Sequence, residues 1–139
     1  MSSKTEQRAN AARDVVALLQ RAWQAEDWEQ VAGLYHLEAQ LLPTDLGPAI
    51  SGRTAIVDTY REFTQLATVH RFEMRQCSAR CYRHTCIVQC EFEIEYVLEG
   101  QRSEDQVTET YVLERNAEEQ LQVLWRQQIV NSSRALLEG

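Results

Sequence analysis

From Cys86 to Leu98 the chain alternates: Cys86, Val88, Cys90, Phe92, Ile94, Tyr96 and Leu98 share one parity, with Gln89, Glu91, Glu93 and Glu95 among the residues between them. Successive strand side chains point to opposite faces, so this run predicts a half-buried strand of thirteen residues. Strands of that length are uncommon in globular proteins. Such a strand needs long partners on both sides and a cover for its apolar face, which limits the fold more than any other feature of the sequence.

The partners are adjacent. Residues 69–82 precede the run, and 105–115 and 120–131 follow it, joined by Arg83-His84, by residues 99–104 and by residues 116–119. Short links join antiparallel neighbours, which predicts a four-strand meander.

The cover comes from the N-terminal part. Up to residue 26, Val15, Val16, Leu19, Ala22 and Trp23 recur at three- and four-residue steps, one face of a helix. Asp27 then caps a second helix, with Gln30 in the capping-box position and Trp28, Val31, Ala32 and Tyr35 as its buried stripe. Residues 39–46 read as a short strand, followed by a turn with Pro48. Ser51-Gly52 opens a third helix whose inner face is Ile56, Tyr60, Phe63 and Leu66. Helices first and strands afterwards predict an α+β fold over a single domain, 1–139, with the helices on one face of the sheet.

A chain that is 44% hydrophobic and 25% charged has the balance of a folded protein. Its net charge of −7 argues against nucleic acid or an anionic membrane surface as partner. No apolar run approaches the ~20 residues that span a bilayer, and the first eight residues carry no apolar core or cleavage motif. The expectation is a cytoplasmic protein, with its four cysteines present as thiols.

Those cysteines are Cys77, Cys81, Cys86 and Cys90. A two-residue hairpin at Arg83-His84 sets Cys81 opposite Cys86 and Cys77 opposite Cys90. The two pairs then lie about 13 Å apart along the strands, too far for one zinc with sulfurs at ~2.3 Å. They read as small buried hydrophobes, with a redox role or a cross-strand disulfide as the alternatives. His36, His70 and His84 are spaced like neither a metal triad nor a nucleophile–base pair, and no glycine-rich phosphate loop occurs. No cofactor is expected. The row Glu91, Glu93 and Glu95 reads as a solvated strand face that discourages edge pairing.

Two polar residues break apolar rows. Val107, Glu109, Tyr111 and Leu113 share a face, as do Leu121, Val123, Trp125, Gln127 and Ile129. A carboxylate aimed into an apolar layer is costly unless it is paired, protonated or facing a cavity. Glu109 is therefore either a site residue or half of a buried hydrogen bond, with Gln127 as the natural partner.

In element order and in local motifs the chain resembles the nuclear transport factor two-like superfamily, which includes ketosteroid isomerases and SnoaL-like polyketide cyclases. The residues that carry the resemblance are Trp23-Gln24-Ala25-Glu26-Asp27-Trp28-Glu29, then Val31 to Tyr35 with Glu38-Ala39, then Ser51-Gly52-Arg53-Thr54-Ala55-Ile56. It covers residues 10–131. It implies a cystatin-like cone, N-terminal helices packed on a curved antiparallel sheet of four to six strands, around a hydrophobic pocket. A homodimer through the sheet is implied as well. The isomerase branch places a tyrosine on the first helix, an aspartate base after the first strand and a protonated acid on the third long strand. Those positions fall here on Leu19, Pro43 and Glu109. Only the last can do the chemistry, and the missing tyrosine argues against steroid isomerisation, because a lost oxyanion donor costs a few kcal/mol in the transition state.

Two functions stay open at this level. One is an isomerase, cyclase or hydratase acting on an apolar or aromatic small molecule. There Asp45 would be the general base and Glu109 the acid, its pKa raised by burial, with Trp23, Tyr35, Tyr60, Trp125 and Gln127 shaping the substrate pocket. The other is a non-catalytic ligand-binding or dimerisation module. A peptide-binding interaction domain ranks behind both.

Overall fold

A computed structural model describes residues 3–137. Three helices, α1 (Lys4–Gln24), α2 (Trp28–Leu34) and α3 (Arg53–Leu66), lie against a sheet of β1 (Tyr35–Leu42), β2 (Ile50–Ser51), β3 (Ala67–Tyr82), β4 (Thr85–Leu98), β5 (Gln101–Arg115) and β6 (Leu121–Ala135). The strand order is β2-β1-β6-β5-β4-β3. The long alternating run is β4, paired over its whole length on both sides. Its even-numbered residues from Cys86 to Ile94 are buried, as the alternation requires.

Helix signals fall where expected. Asp27 caps α2 by accepting from the Gln30 amide, and Ser3 does the same for α1 at Glu6. Gly52, at φ 95°, starts α3 without a side-chain cap. Leu66 departs from the expected inner face of α3: in the last turn, where the chain leaves for β3, it is 60% exposed.

Two differences concern the sheet. It is mixed: β1 runs parallel to β6, although every other pairing is antiparallel. A parallel neighbour requires a long crossover, and β2, α3 and the whole meander lie between these two strands. β1 also begins at Tyr35, four residues before the expected start at 39, because Tyr35 already pairs with Val123. Pro43, which has no amide to donate, closes the strand.

The outer face of the sheet has two characters. Toward one end Arg71 joins Glu73, Glu93 and Glu104, Arg75 joins Glu73 and Glu93, Arg102 joins Glu95 and Arg134 joins Glu104. Hydrogen bonds from Arg75 and Arg71 hold the Glu93 carboxyl below its ordinary range, and Arg102 does the same for Glu95. The expected acidic row is thus a lattice of ion pairs. Toward the other end Ile87, Val112 and Trp125 lie side by side across β4, β5 and β6.

The cysteines fall in the expected register, Cys81 opposite Cys86 and Cys77 opposite Cys90. The first pair is a disulfide, which corrects its reading as two buried thiols. The second pair is free, with sulfurs 2.9 Å apart. The hydrogen bond with Cys90 draws the Cys77 thiol down to about 7 against the effect of burial, with help from Arg13, while Cys90 is pushed up. Alkylation of Cys77 should therefore show a midpoint near pH 7, and Cys90→Ala should move it up toward an ordinary thiol, about 8.5. Peptide mapping after iodoacetamide checks this; a midpoint that ignores Cys90→Ala would contradict the coupling.

Candidate functional site: a polar floor beneath an apolar cavity

β5 sends Asp105, Val107, Glu109, Tyr111 and Leu113 toward the helices, and all five are buried. Glu109 therefore faces inward, as its parity predicts, and its side chain is fully enclosed. Its partner is not Gln127. An extra residue, Leu124, interrupts the β5–β6 register between the pairs Leu113–Val123 and Val112–Trp125. Such a bulge reverses the parity of everything beyond it. Arg126, opposite Tyr111, turns inward instead, while Trp125 and Gln127 go to the outer face.

Arg126 meets Glu109 Oε2 in a buried ion pair. Glu109 Oε1 accepts from Gln20 Nε2 at 3.0 Å and from the Tyr111 hydroxyl at 2.8 Å. Gln20 also donates to the Tyr111 oxygen at 2.8 Å and accepts from Trp23 Nε1 at 2.7 Å. On the far side Arg126 donates to the Tyr60 hydroxyl, which lies 2.7 Å from that of Tyr35. The guanidinium carbon also sits 5.0 Å from the Tyr60 ring centroid and 5.6 Å from that of Tyr111. Seven side chains from α1, β1, α3, β5 and β6 thus form one network. Every partner of Glu109 is a donor, so its lone pairs are occupied from within the protein.

Burial by itself would weaken the Arg126 charge, but Glu109 outweighs it and holds the guanidinium well above its ordinary value. Burial raises Tyr60 and Tyr111 well above the ordinary phenol, and Tyr35 less far, against the opposing pull of Arg126. A phenol whose folded pKa exceeds its unfolded value stabilises the fold fully below about pH 10, and that contribution is lost as pH rises beyond. The three phenols should ionise only as the protein unfolds in alkali. An ultraviolet titration beside circular dichroism checks this; reversible ionisation of all three in the folded protein near pH 10 would contradict the enclosure.

Above this floor lies a cavity of about 300 Å³. Trp23, Phe63, Phe92, Ile94 and Val107 form apolar walls, and Gln20, Tyr60, Glu109 and Arg126 reach it from the network. Thr44, which is exposed, and Val130, 38% exposed, stand at its open side. This is the size and make-up of a small-ligand pocket, apolar walls with a few convergent polar groups.

The expected site residues separate accordingly. Trp23, Tyr60 and Glu109 line the cavity, and Tyr35 lies behind it, joined through its hydroxyl. Asp45 is exposed outside the lining, its Oδ1 accepting from the Gly47 amide at 2.8 Å in a local turn. Pro43 lines the cavity and Leu19 is buried in the core. Residues missed in the sequence are Gln20, Tyr111 as a donor, Arg126, and Asp105 with Tyr96. Gln20 carried a signal, since a polar residue one turn beyond Val16 sits on the apolar face of α1. Among the described residues no group of three or more His, Cys, Asp or Glu could hold a metal ion. No described helix is long and apolar enough to cross a membrane.

Solved structures share this architecture at identities that speak for the fold alone. A ketosteroid isomerase-like protein from Erwinia carotovora atroseptica is 15% identical, with 86% of this chain and 93% of that one covered and a TM-score of 0.71. A CaMKII hub from S. rosetta is 13% identical over 94% of this chain and 98% of its own, at 0.75. An NTF2-like protein with a cystatin-like fold from Novosphingobium aromaticivorans is 12% identical over 88% and 81%, at 0.69. No curated protein matches the sequence. The model of the SnoaL-like domain matches residues 12–125, most of the chain, and the protein belongs to that family.

Proposed function

We propose that the protein binds a small molecule with an apolar or aromatic body in the cavity beneath α1 and α3, and that the Gln20–Glu109–Arg126 floor is a rigid polar end wall. The observation that carries this reading is the juxtaposition of an open, apolar-walled space of about 300 Å³ with a floor whose polar groups are already paired. Binding, not acid–base catalysis by Asp45 and Glu109, is what the geometry favours. Asp45 is turned into its own loop, outside the cavity. Glu109 is held as an acceptor by Arg126, Gln20 and Tyr111 and presents no proton to a ligand. A general acid or base must reach the atom it serves.

The test is a titration of the full chain with N-phenylnaphthylamine, a neutral fluorophore that brightens in apolar surroundings. Saturable binding of one equivalent supports the pocket. Fluorescence that rises without saturation, or not at all, contradicts it.

We further propose a homodimer through the outer sheet face. The row Ile87, Val112 and Trp125 supports this, as an apolar lane beside a polar lattice, with Ile87 39% exposed. The hub neighbour shows a related fold in an assembly-forming context. Light scattering should give twice the 16.1 kDa chain mass, and Trp125→Arg should return the single-chain value.

A further inference from the structure

We infer that the ligand carries a cationic amine, which docks on Asp105. This rests on the pocket reading and specifies the chemistry of its occupant.

Within the lining, charges do not balance. Arg126 is matched by Glu109, which leaves that pair close to neutral. Asp105 is a second carboxylate in the same lining, 8% exposed, and among the described residues no cation pairs with it. Its neighbours are neutral donors: the Tyr96 hydroxyl gives to Oδ2 at 2.9 Å and Ser133 Oγ to Oδ1 at 2.5 Å. A carboxylate accepts about four hydrogen bonds, so two positions stay open. Both neighbours fix the orientation of the group without neutralising it.

A buried carboxylate lacking a counter-charge is costly in isolation and attractive to a cation that fits beside it. Asp105 and Glu109 lie four residues apart on β5, roughly 13 Å along the strand. Between them runs Val107, with Ile94 opposite Asp105 and Phe92 opposite Val107 on β4. The lining therefore offers, in sequence, an anionic contact, an apolar stretch and the paired floor. An aromatic or aliphatic amine matches that order, and an anionic ligand would meet Asp105 without compensation.

Three probes of matched shape, naphthylethylamine, naphthylethanol and naphthylacetate, would compete with N-phenylnaphthylamine on the full chain. The amine should displace the fluorophore at a concentration about tenfold or more below that needed by the acid, the size of one charge-assisted hydrogen bond, with the alcohol between. Asp105→Asn should bring the amine and the acid to within about twofold while retaining the fluorophore. Tyr96→Phe, which frees an acceptor position and keeps the carboxylate, should preserve or widen the preference for the amine, and it serves if Asp105→Asn does not fold. Equal displacement by amine and acid in the wild type, or a preference unchanged in Asp105→Asn, overturns the inference and leaves the pocket standing. Should Tyr96→Phe be the only folded variant, a narrowed amine preference there overturns it. No binding of the fluorophore to the wild type removes the pocket itself.

Discussion

Replacing Arg126 by methionine is expected to destabilise the fold by about 3–5 kcal/mol, the cost of leaving a buried charge without its partner. Glu109 is fully enclosed and Arg126 is 9% exposed at the side chain, so water cannot take the place of either. The loss would also strip a donor from the Tyr60 hydroxyl. Glu109→Met should cost a similar amount for the mirrored reason. The double replacement should recover part of the loss, because two apolar side chains of suitable size substitute for a buried pair at little cost. Recovery stays incomplete, since Gln20 and Tyr111 each lose an acceptor. Urea unfolding of the four proteins measures all of this. A single replacement costing less than about 1 kcal/mol would mean that the pair is solvated or unformed.

The second large effect concerns the cavity. Val107 is buried on the inward face of β5 and contributes to the wall midway between Asp105 and Glu109. Val107→Trp adds an indole to that space and should weaken N-phenylnaphthylamine binding by about tenfold or more, at an overpacking cost of about 1–3 kcal/mol. Thr108→Trp, one residue on and therefore on the outer face, should bind as the parent does. If the two variants bind alike, the fluorophore sits elsewhere. Thermal melts separate a blocked cavity from a collapsed one.

These effects show which parts of the molecule were legible in the sequence. The period of β4, the Asp27 cap and the Arg83-His84 hairpin are local signals, and each element follows its own pattern. The inward direction of Glu109 was legible for the same reason, because β5 keeps a single parity from Asp105 to Leu113. β6 does not. The extra residue at Leu124 has no marker such as glycine or proline, yet it exchanges Trp125 and Gln127 for Arg126 at the pocket. Misreading one residue of register changed the partner of Glu109 from an amide to a guanidinium, and with it the chemistry expected of the site. The parallel pairing of β1 with β6 was hidden differently, as contacts far apart in the chain leave no periodic trace.

Asp45 illustrates a further limit. Two residues after Pro43, it would share the pocket face if the strand continued, but β1 ends at Leu42 and the chain turns, with Leu46 at φ 61°. Asp105 was missed for the opposite reason. It sits on a correctly read face, but its importance depends on Tyr96 and Ser133, which only the sheet brings together.

The most direct measurement is fluorine NMR of the chain labelled with fluorotryptophan. The three indoles lie in three different settings: Trp23 in the cavity wall, Trp28 on α2 near Arg61, and Trp125 on the outer sheet face. Titration with naphthylethylamine should move the Trp23 resonance, assigned by Trp23→Phe, and leave the other two in place. A shift confined to Trp125, or three static resonances at saturating probe, would contradict an open binding cavity under the helices.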